Sequence, residues 1–271
     1  MRIGVVAPGG TLAADVEPRV IALAAEHYPG VELLFDPQCT AVDGHFAGDD
    51  DTRAEALIRA ANDPSLDAVW FARGGYGACR IAERALDAFG SQARRKTWMG
   101  YSDIGFLLGG LQRRGYGQLF HGPMPGDIRR DGGDEAVLRA LAWLVDRDPS
   151  ALEARAVADA RPTQAFNLVI LSQLLGTPLQ PDFDGRVLLI EEVGEQAYRI
   201  DRQFFHVTSN ADVRRCAGIR LGRCDPIPPN EPEFGRDEAA IAEDWCRRSA
   251  ISWLGRADIG HDVANKVVPF T

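Results

Sequence analysis

A serine at the junction of a strand and a helix is the residue of this sequence best placed to do chemistry. Residues 98–105 read Trp-Met-Gly-Tyr-Ser-Asp-Ile-Gly, in which an apolar strand end turns into a helical pattern over residues 106–111. Gly100 lets the backbone turn sharply, and the free N–H groups at the start of the helix would face a group bound to Ser102. A serine exposed in such a turn can serve as the nucleophile of an acyl-transfer reaction.

The turn at Ser102 also has a simpler interpretation. It departs from the G-x-S-x-G pattern of nucleophile elbows because the second glycine, Gly105, comes one residue late. Serine is a common helix N-cap, so a structural cap explains this stretch better than a nucleophile when the stretch is taken alone. A catalytic role therefore requires partner groups elsewhere in the chain.

A glycine-rich turn follows another apolar strand. Residues 68–72 are followed by Arg73-Gly74-Gly75-Tyr76-Gly77, and a helical pattern starts directly afterwards. Backbone amides in such a turn can approach a ligand closely and donate to a developing oxyanion, although a tight turn without a ligand explains the pattern equally well. In a parallel sheet this turn and the Ser102 turn would share the carboxyl edge, where ligands bind.

Composition and charge argue against several classes of function. The formal net charge of −9 disfavours nucleic-acid binding, and no apolar run is long enough to span a bilayer. The N-terminal residues do not resemble a signal peptide, which predicts a cytoplasmic protein. The five cysteines form no C-x-x-C pair and the histidines are not spaced as ligands, so we expect no disulfide framework and no metal. The Pro8-Gly9-Gly10 turn lacks the spacing of a dinucleotide site, and we expect no cofactor.

The order of the predicted elements indicates an α/β protein in two units. Strands and helices alternate through residues 1–146, which predicts a parallel-sheet domain of the Rossmann-like or flavodoxin-like type. Residues 147–162 are charged and contain prolines, as is typical of a linker. Residues 163–271, with a proline-rich loop at 225–234, form the smaller second unit.

Four motifs, in order along the chain, resemble those of the LD-carboxypeptidase family, which also contains the microcin-immunity serine peptidases. They are Arg73-Gly74-Gly75-Tyr76-Gly77, the Gly-Tyr-Ser-Asp-Ile of residues 100–104, the Leu-Ile-Glu-Glu-Val-Gly-Glu of 189–195 with Tyr-Arg-Ile-Asp-Arg at 198–202, and the Gly-His-Asp-Val-Ala-Asn of 260–265. The match covers nearly the whole chain. The resemblance implies an N-terminal α/β domain that bears the nucleophile, a smaller β-rich C-terminal domain and a homodimer.

By this resemblance, Ser102 is the nucleophile, His261 the base and Glu191 the acidic member of a Ser-His-Glu triad assembled between the two units. The backbone N–H groups of Gly75 and Asp103 would form the oxyanion hole. The set is chemically coherent, because a serine needs a base to take its proton and the imidazole needs a carboxylate to fix its tautomer. Taken singly, Glu191 is equally well a strand-end cap and His261 a packed or solvated turn residue.

The resemblance also implies a set of residues close to the substrate: Gly74, Tyr76, Tyr101, His121 and Phe166. The chain departs from the family pattern at Gly105, where threonine is usual, at residues 165–166, where Ala-Phe replaces a pair of glycines, and at Glu192, where aspartate is common. The bulky ring of Phe166 predicts a cleft whose substrate differs in shape from the common murein peptide.

The leading hypothesis implied by the family is a serine carboxypeptidase that cleaves the L,D amide bond and releases terminal D-alanine from murein tetrapeptide in cell-wall recycling. The alternative is a microcin-immunity-type peptidase that cleaves a peptidyl acyl-sulfamoyl nucleotide or a related acyl amide. A third hypothesis, a non-catalytic ligand-binding protein of the same fold, is disfavoured by the complete set of triad residues. We further predict that Glu191 rather than Glu192 supports His261, because adjacent strand residues point to opposite faces.

Overall fold

The computed structural model describes every residue from 1 to 271 and contains ten β-strands and nine α-helices. The strands are β1 (Arg2–Val6), β2 (Glu32–Phe35), β3 (Ala68–Phe71), β4 (Thr97–Gly100), β5 (Leu119–His121), β6 (Thr163–Asn167), β7 (Val187–Glu192), β8 (Gly218–Cys224), β9 (Trp253–Arg256) and β10 (Val268–Pro269). The helices are α1 (Val16–His27), α2 (Asp50–Asn62), α3 (Ala78–Asp87), α4 (Gly105–Arg113), α5 (Gly133–Leu141), α6 (Ala154–Ala158), α7 (Leu168–Leu174), α8 (Ala197–Ser209) and α9 (Glu238–Arg248). None of these helices has both the length and the apolar character needed to span a membrane.

Six strands form the larger sheet, in the order β10-β5-β4-β3-β1-β2. All neighbours are parallel except β10, which pairs antiparallel with β5. Every residue of β3 and β4 is buried, as expected for parallel strands covered on both faces. Alternate residues enter different cores, because Val69 and Phe71 join one hydrophobic cluster while Ala68 and Trp70 join another.

The remaining four strands form a second sheet, in the order β6-β7-β8-β9, whose neighbours are all parallel. The predicted α/β class is confirmed, and the second unit carries its own helices, α7, α8 and α9. The larger hydrophobic core contains Trp98 from the first sheet together with Phe166 and Ile190 from the second. The two sheets therefore contribute to one continuous core, which also includes residues of α4 and α7 and positions the end of β7 relative to the end of β4.

The segment between the two sheets is packed rather than extended. Residues 147–162 include α6, and Glu153, just before that helix, is only 1% exposed. Its carboxylate accepts hydrogen bonds from the Ala156 N–H at 2.6 Å and from the Asp258 N–H at 3.1 Å. The segment has the charged composition that is typical of a linker, but one of its carboxylates, that of Glu153, has its hydrogen bonds satisfied inside the protein.

After the second sheet, the chain returns to the first. Val268 of β10 lies opposite His121 of β5. Residues 257–267, which include His261, therefore connect β9 of one sheet to β10 of the other. The position of this loop depends on both sheets.

Candidate active site

Ser102 follows the carboxyl end of β4 and begins a short 3-10 turn, Ser102–Ile104, that leads directly into α4. Its φ is +62°, a left-handed conformation that costs a residue other than glycine about 1–2 kcal/mol. Gly100 lets Phe71 and Ile104 pack closely against the end of β4, because a Cβ there would lie 3.0 Å from side-chain carbons of both residues. Strained backbone of this kind is concentrated at functional turns.

The glycine-rich turn after β3 packs directly on Ser102. A Cβ added at Gly74 would lie 2.7 Å from Ser102 Cβ and 2.8 Å from Ser102 Oγ, so a larger residue does not fit. Gly75 has a φ of +109°, which also favours glycine. The N–H groups of Gly75 and Asp103 donate to no acceptor within the protein, so both are available to a ligand beside Ser102.

The side chain of Asp103 joins the Ser102 turn to the start of α3. It is fully buried, and its Oδ2 accepts a hydrogen bond from the Ala78 N–H at 2.8 Å, while Oδ1 has no partner. Burial raises the pKa of Asp103 to about 6, against the lowering effect of the backbone hydrogen bonds that it accepts. The carboxylate thus fixes the spacing between the turns that carry Ser102 and Gly75.

His261 and Glu191 form a buried hydrogen-bonded pair. His261 Nδ1 lies 2.5 Å from Glu191 Oε2, and the two side chains are 9% and 0% exposed. Burial lowers the pKa of His261, but the Glu191 carboxylate raises it, and the resulting pKa lies above the ordinary value of 6.5. Because the carboxylate occupies Nδ1, Nε2 is the ring nitrogen left to exchange protons with a ligand or a nucleophile.

Glu192 points away from His261, to the opposite face of β7. Its carboxylate accepts hydrogen bonds from Asn167 Nδ2 at 2.8 Å, the Val169 N–H at 2.9 Å and the Val193 N–H at 2.8 Å. Burial raises the pKa of Glu192 to about 7. Of the two adjacent carboxylates, the structure brings Glu191 to the imidazole, and Glu192 instead anchors the start of α7.

A cavity of about 530 Å³ brings the two halves of the site together. Its walls contain Ser102, Gly74, Gly75 and Tyr101 from the turns after β3 and β4, and His261 from the loop before β10. The other lining residues are Leu12, Ala13, Val16, Arg73, Met124, Gly126, Asp127, Arg129, Arg130 and Val193. Ser102 Oγ and His261 share this cavity without a hydrogen bond between them, and a catalytic contact of this type often tightens only when substrate binds.

Three residues expected near the substrate do not line this cavity: Tyr76, His121 and Phe166. His121 is 1% exposed, and its Nε2 lies 3.3 Å from Asn265 Oδ1. Burial lowers the pKa of His121 to about 3, so the ring is neutral and belongs to the interior. Tyr76 is half exposed, but its ring packs beside neighbouring aromatic rings outside the cavity walls. The substrate contact expected of Tyr76 stays a prediction, whereas the ring of His121 is enclosed in the interior.

Phe166 is 1% exposed and packs edge-on against Phe270, with ring centroids 4.9 Å apart. It lies behind the turn that carries Ser102, because a Cβ at Gly105 would come within 3.4 Å of Phe166 Cδ1 and 2.9 Å of Ile170 Cγ2. The departures at positions 105 and 166 are therefore linked, since Phe166 and Ile170 fill the space that a side chain at position 105 would need. Phe166 affects the packing between the sheets and does not shape the cavity directly.

Sequence patterns did not single out the charged wall of the cavity that follows β5. Asp127 Oδ1 accepts hydrogen bonds from the Tyr101 hydroxyl at 2.8 Å and from Arg130 Nε at 3.0 Å. Arg129 and Arg130 both line the cavity. The available signal was the Asp-Ile-Arg-Arg sequence of residues 127–130, which comes soon after the carboxyl end of a strand in the same sheet as β4.

Comparison with known proteins agrees with the resemblance in the motifs. The family model of the LD-carboxypeptidase N-terminal domain matches residues 3–122, and that of the C-terminal domain matches residues 165–271. The chain is 30% identical over 278 residues to a putative carboxypeptidase of Synechocystis sp., with 99% of this chain and 88% of that protein covered. It is 27% identical over 287 residues to the murein tetrapeptide carboxypeptidase of Pseudomonas aeruginosa, with 99% and 91% covered. Its fold resembles that of muramoyltetrapeptide carboxypeptidase from Oxalobacter formigenes, with a TM-score of 0.83, 22% identity, and 99% and 92% of the two chains covered.

Proposed function

The chain belongs to the LD-carboxypeptidase family, and from this premise we propose that it is a serine carboxypeptidase that releases the terminal D-alanine of murein tetrapeptide. The observation that carries the proposal is the cavity shared by the strained Ser102 and the His261–Glu191 pair. The relative from Pseudomonas aeruginosa, which matches over 91% of its length, is named for this substrate.

In the first half of the proposed reaction, His261 Nε2 takes the proton of the Ser102 hydroxyl. The Ser102 Oγ attacks the carbonyl carbon of the residue before D-alanine, and the carbonyl oxygen becomes an oxyanion. The N–H groups of Gly75 and Asp103 donate to this oxyanion, and they do so without breaking other hydrogen bonds because they are unpaired in the free protein. Glu191 stabilises the imidazolium that forms on His261.

In the second half, His261 gives its proton to the amide nitrogen of D-alanine, the C–N bond breaks and D-alanine leaves as the free amino acid. The tripeptide remains joined to Ser102 as an ester. A water molecule then attacks the ester while His261 again accepts a proton, and the tripeptide leaves as Ser102 regains its hydroxyl hydrogen. One imidazole thus performs every proton transfer, which explains why its orientation by Glu191 matters.

The proposal extends to the organisation of the protein. Residues 1–146 carry Ser102 and residues 163–271 carry Glu191 and His261, so catalysis needs both units; the core shared by the two sheets supports this. The proposal also includes a cytoplasmic location, and a homodimeric form that follows from the family resemblance. Light scattering of the purified protein during gel filtration tests the dimer.

The direct test is incubation of the purified protein with murein tetrapeptide, followed by mass spectrometry. We expect D-alanine and the tripeptide as products, with the Ser102→Ala variant as the matched inactive control. A parallel incubation with an acylated aminoacyl-sulfamoyl adenosine tests the alternative substrate class. Cleavage of that compound alone would replace the proposal with the microcin-immunity-type activity, and cleavage of neither compound would contradict both.

A further inference from the structure

The cavity is rich in positive charge although the protein is acidic. The chain has a formal net charge of −9, but the cavity walls contain three arginines and a single carboxylate. That carboxylate, Asp127, already accepts hydrogen bonds from the Tyr101 hydroxyl, the Met124 N–H and Arg130 Nε. The walls therefore present net positive charge to a ligand, which favours an anionic group.

Among these arginines, Arg130 is held through a buried partner while its terminal nitrogens stay free. Its Nε lies 3.0 Å from Asp127 Oδ1, and Asp127 is 6% exposed and fixed in turn by the Tyr101 hydroxyl at 2.8 Å. Nη1 and Nη2 of Arg130 make no hydrogen bond of good geometry within the protein, although the Tyr101 hydroxyl lies close enough to the guanidinium to interact with it. Two terminal NH2 groups on a planar, oriented guanidinium match the two oxygens of a carboxylate.

The other two arginines are engaged elsewhere. Arg73 Nη1 donates to the Thr11 carbonyl at 2.9 Å, and its Nη2 lies 3.7 Å from the position that a Cβ of Gly75 would take, on the side of the oxyanion donors. The side chain of Arg129 is 59% exposed, and its Nε lies 3.4 Å from an oxygen of Asp15 at the surface. Neither combines a buried anchor with a free pair of terminal nitrogens.

The position of Arg130 relative to His261 identifies the carboxylate that it would meet. Tyr101 connects the two residues, because its ring centroid lies 4.9 Å from that of His261 and its hydroxyl shares Asp127 with Arg130. In the proposed reaction His261 protonates the leaving amine, so the leaving residue lies on this side of the cavity. Only one carbon atom separates that amine from the α-carboxylate of the leaving residue.

We infer that Arg130 binds the free α-carboxylate of the residue that the enzyme releases. The inference rests on the proposed function and adds to it the side chain that restricts cleavage to the C-terminal bond. Asp127 and Tyr101 are positioning residues, since they act by orienting the guanidinium. A peptide whose terminal carboxylate is amidated, or is joined to a further residue, loses the charge-assisted hydrogen bonds to Arg130.

The test measures binding, so it does not depend on turnover. In the Ser102→Ala protein, calorimetry compares murein tetrapeptide with the same peptide carrying a C-terminal carboxamide. We expect the free acid to bind about 10- to 100-fold more tightly, the range for hydrogen bonds to a charged group. Adding Arg130→Ala should bring the two dissociation constants together.

Three controls make the comparison specific. Arg129→Ala removes a neighbouring cation of the same cavity, and this variant should still prefer the acid over the amide. That result would distinguish a direct contact with Arg130 from the overall positive charge of the cavity. Arg130→Lys keeps the charge but loses the planar fork and its bond to Asp127, and should keep only part of the preference. Amidation of an acyl-side carboxylate of the peptide tests the other source of negative charge, and its effect should be the same with and without Arg130.

The inference is overturned if the Arg130→Ala protein, shown by thermal melting to be folded, keeps the original ratio of acid to amide affinity. It is also overturned if Arg130→Ala changes only the response to acyl-side amidation. A protein with Ser102 intact that releases no D-alanine, yet shows the Arg130-dependent preference, would refute the proposed reaction and leave the carboxylate site standing.

Discussion

Ser102 and His261 face the same cavity, but the first is held by backbone contacts and the second by a buried charge. Ser102 has a positive φ, and its side chain occupies the space beside Gly74 that any Cβ there would need. His261 instead owes its orientation to the carboxylate of Glu191. Steric contacts do not depend on protonation, whereas the pairing of a buried acid with an imidazole does. The contacts that hold Ser102 should therefore be insensitive to pH, apart from the buried Asp103 carboxylate, whose pKa burial raises to about 6, and the pairing of His261 with Glu191 should carry the pH response above that value.

The Ser102 half and the His261 half of the site each contain a buried carboxylate, that of Asp103 and that of Glu191. One oxygen of each carboxylate has no partner, and the partner of the other oxygen differs between the two. Asp103 Oδ2 accepts from the backbone N–H of Ala78, while Glu191 Oε2 meets the titratable ring of His261. A backbone N–H cannot change its charge, so Asp103 shifts the pKa of no partner, although burial raises its own pKa to about 6. Glu191 acts on both the geometry and the pKa of its partner, and the following predictions separate the two halves on this basis.

The largest effect should come from removing the hydroxyl of Ser102, the proposed nucleophile, while the backbone strain of this residue is kept. Ser102→Ala leaves the turn in place but deletes Oγ, and we expect kcat to fall by about four to six orders of magnitude with little change in Tm. Burst kinetics and steady-state assays with soluble murein tetrapeptide measure the loss. Near-normal hydrolysis by this variant would remove Ser102 from the mechanism.

The next effect concerns the two adjacent carboxylates. Glu191→Gln should lower kcat by about three to four orders of magnitude, because an amide does not stabilise the imidazolium or fix its tautomer. Glu192→Gln is the matched control, and it should act mainly on stability, by about 1–3 kcal/mol, because an amide NH2 would face one of the three donors around it. The reverse order in paired assays would show that the wrong carboxylate has been assigned to His261.

The pH dependence of kcat/KM should report on His261 and Glu191, the half of the site that is held by a buried charge. The base must be neutral in the free enzyme, so kcat/KM should fall tenfold per pH unit below the pKa of His261, which lies above 6.5. In Glu191→Gln the raising effect of the carboxylate is lost and the lowering effect of burial remains, so the acidic limb should move to lower pH.

Two other titratable groups, Glu192 and His121, can be distinguished from His261 as the source of this acidic limb. Burial raises the pKa of Glu192 to about 7, so the limb must persist in Glu192→Gln if His261 is its source. His121 contributes nothing in this range because burial lowers its pKa to about 3. A limb that vanishes in Glu192→Gln and stays in place in Glu191→Gln would reverse the assignment.

The smallest effect concerns the stability of the turn at Ser102, the half of the site that is held by backbone contacts. Ser102→Gly and Ser102→Ala both lack Oγ, but only glycine adopts a φ of +62° without strain. The glycine variant should therefore be the more stable of the two by about 1 kcal/mol, or about 2–4 °C in Tm. Equal melting temperatures would mean that the turn stores no strain at this residue.

A part of this site can be predicted from the sequence only when the contacts that form it are local. The turn at Ser102 is predictable because a glycine, a strand end and a helical pattern lie within about ten residues of each other. The pairing of Glu191 with His261 joins residues that are 70 positions apart, and only the family motifs suggested it. Neither residue has a local pattern that distinguishes it from an ordinary strand-end or turn residue.

The residues that sequence reasoning misplaced or missed depend on tertiary packing. Phe166 packs in the interior against Phe270, which directly follows β10 at the far end of the chain. Arg130 acquires its orientation from a carboxylate that is itself held by the hydroxyl of Tyr101. Nothing in the local sequence indicates which of two adjacent arginines has the buried partner, so the charged wall emerged only from the structure.

The antiparallel pairing of β10 with β5 has a consequence for the timing of synthesis. Residues 119–121 cannot complete their hydrogen bonding on that edge until residues 268–269 have left the ribosome. At a typical rate of about 5–20 residues per second, the turn at Ser102 is made many seconds before the loop of His261 can be anchored at both ends. We therefore expect the nascent chain to carry an uncoupled serine until residues 268–269 are made and to gain its hydrolase site only as β10 docks.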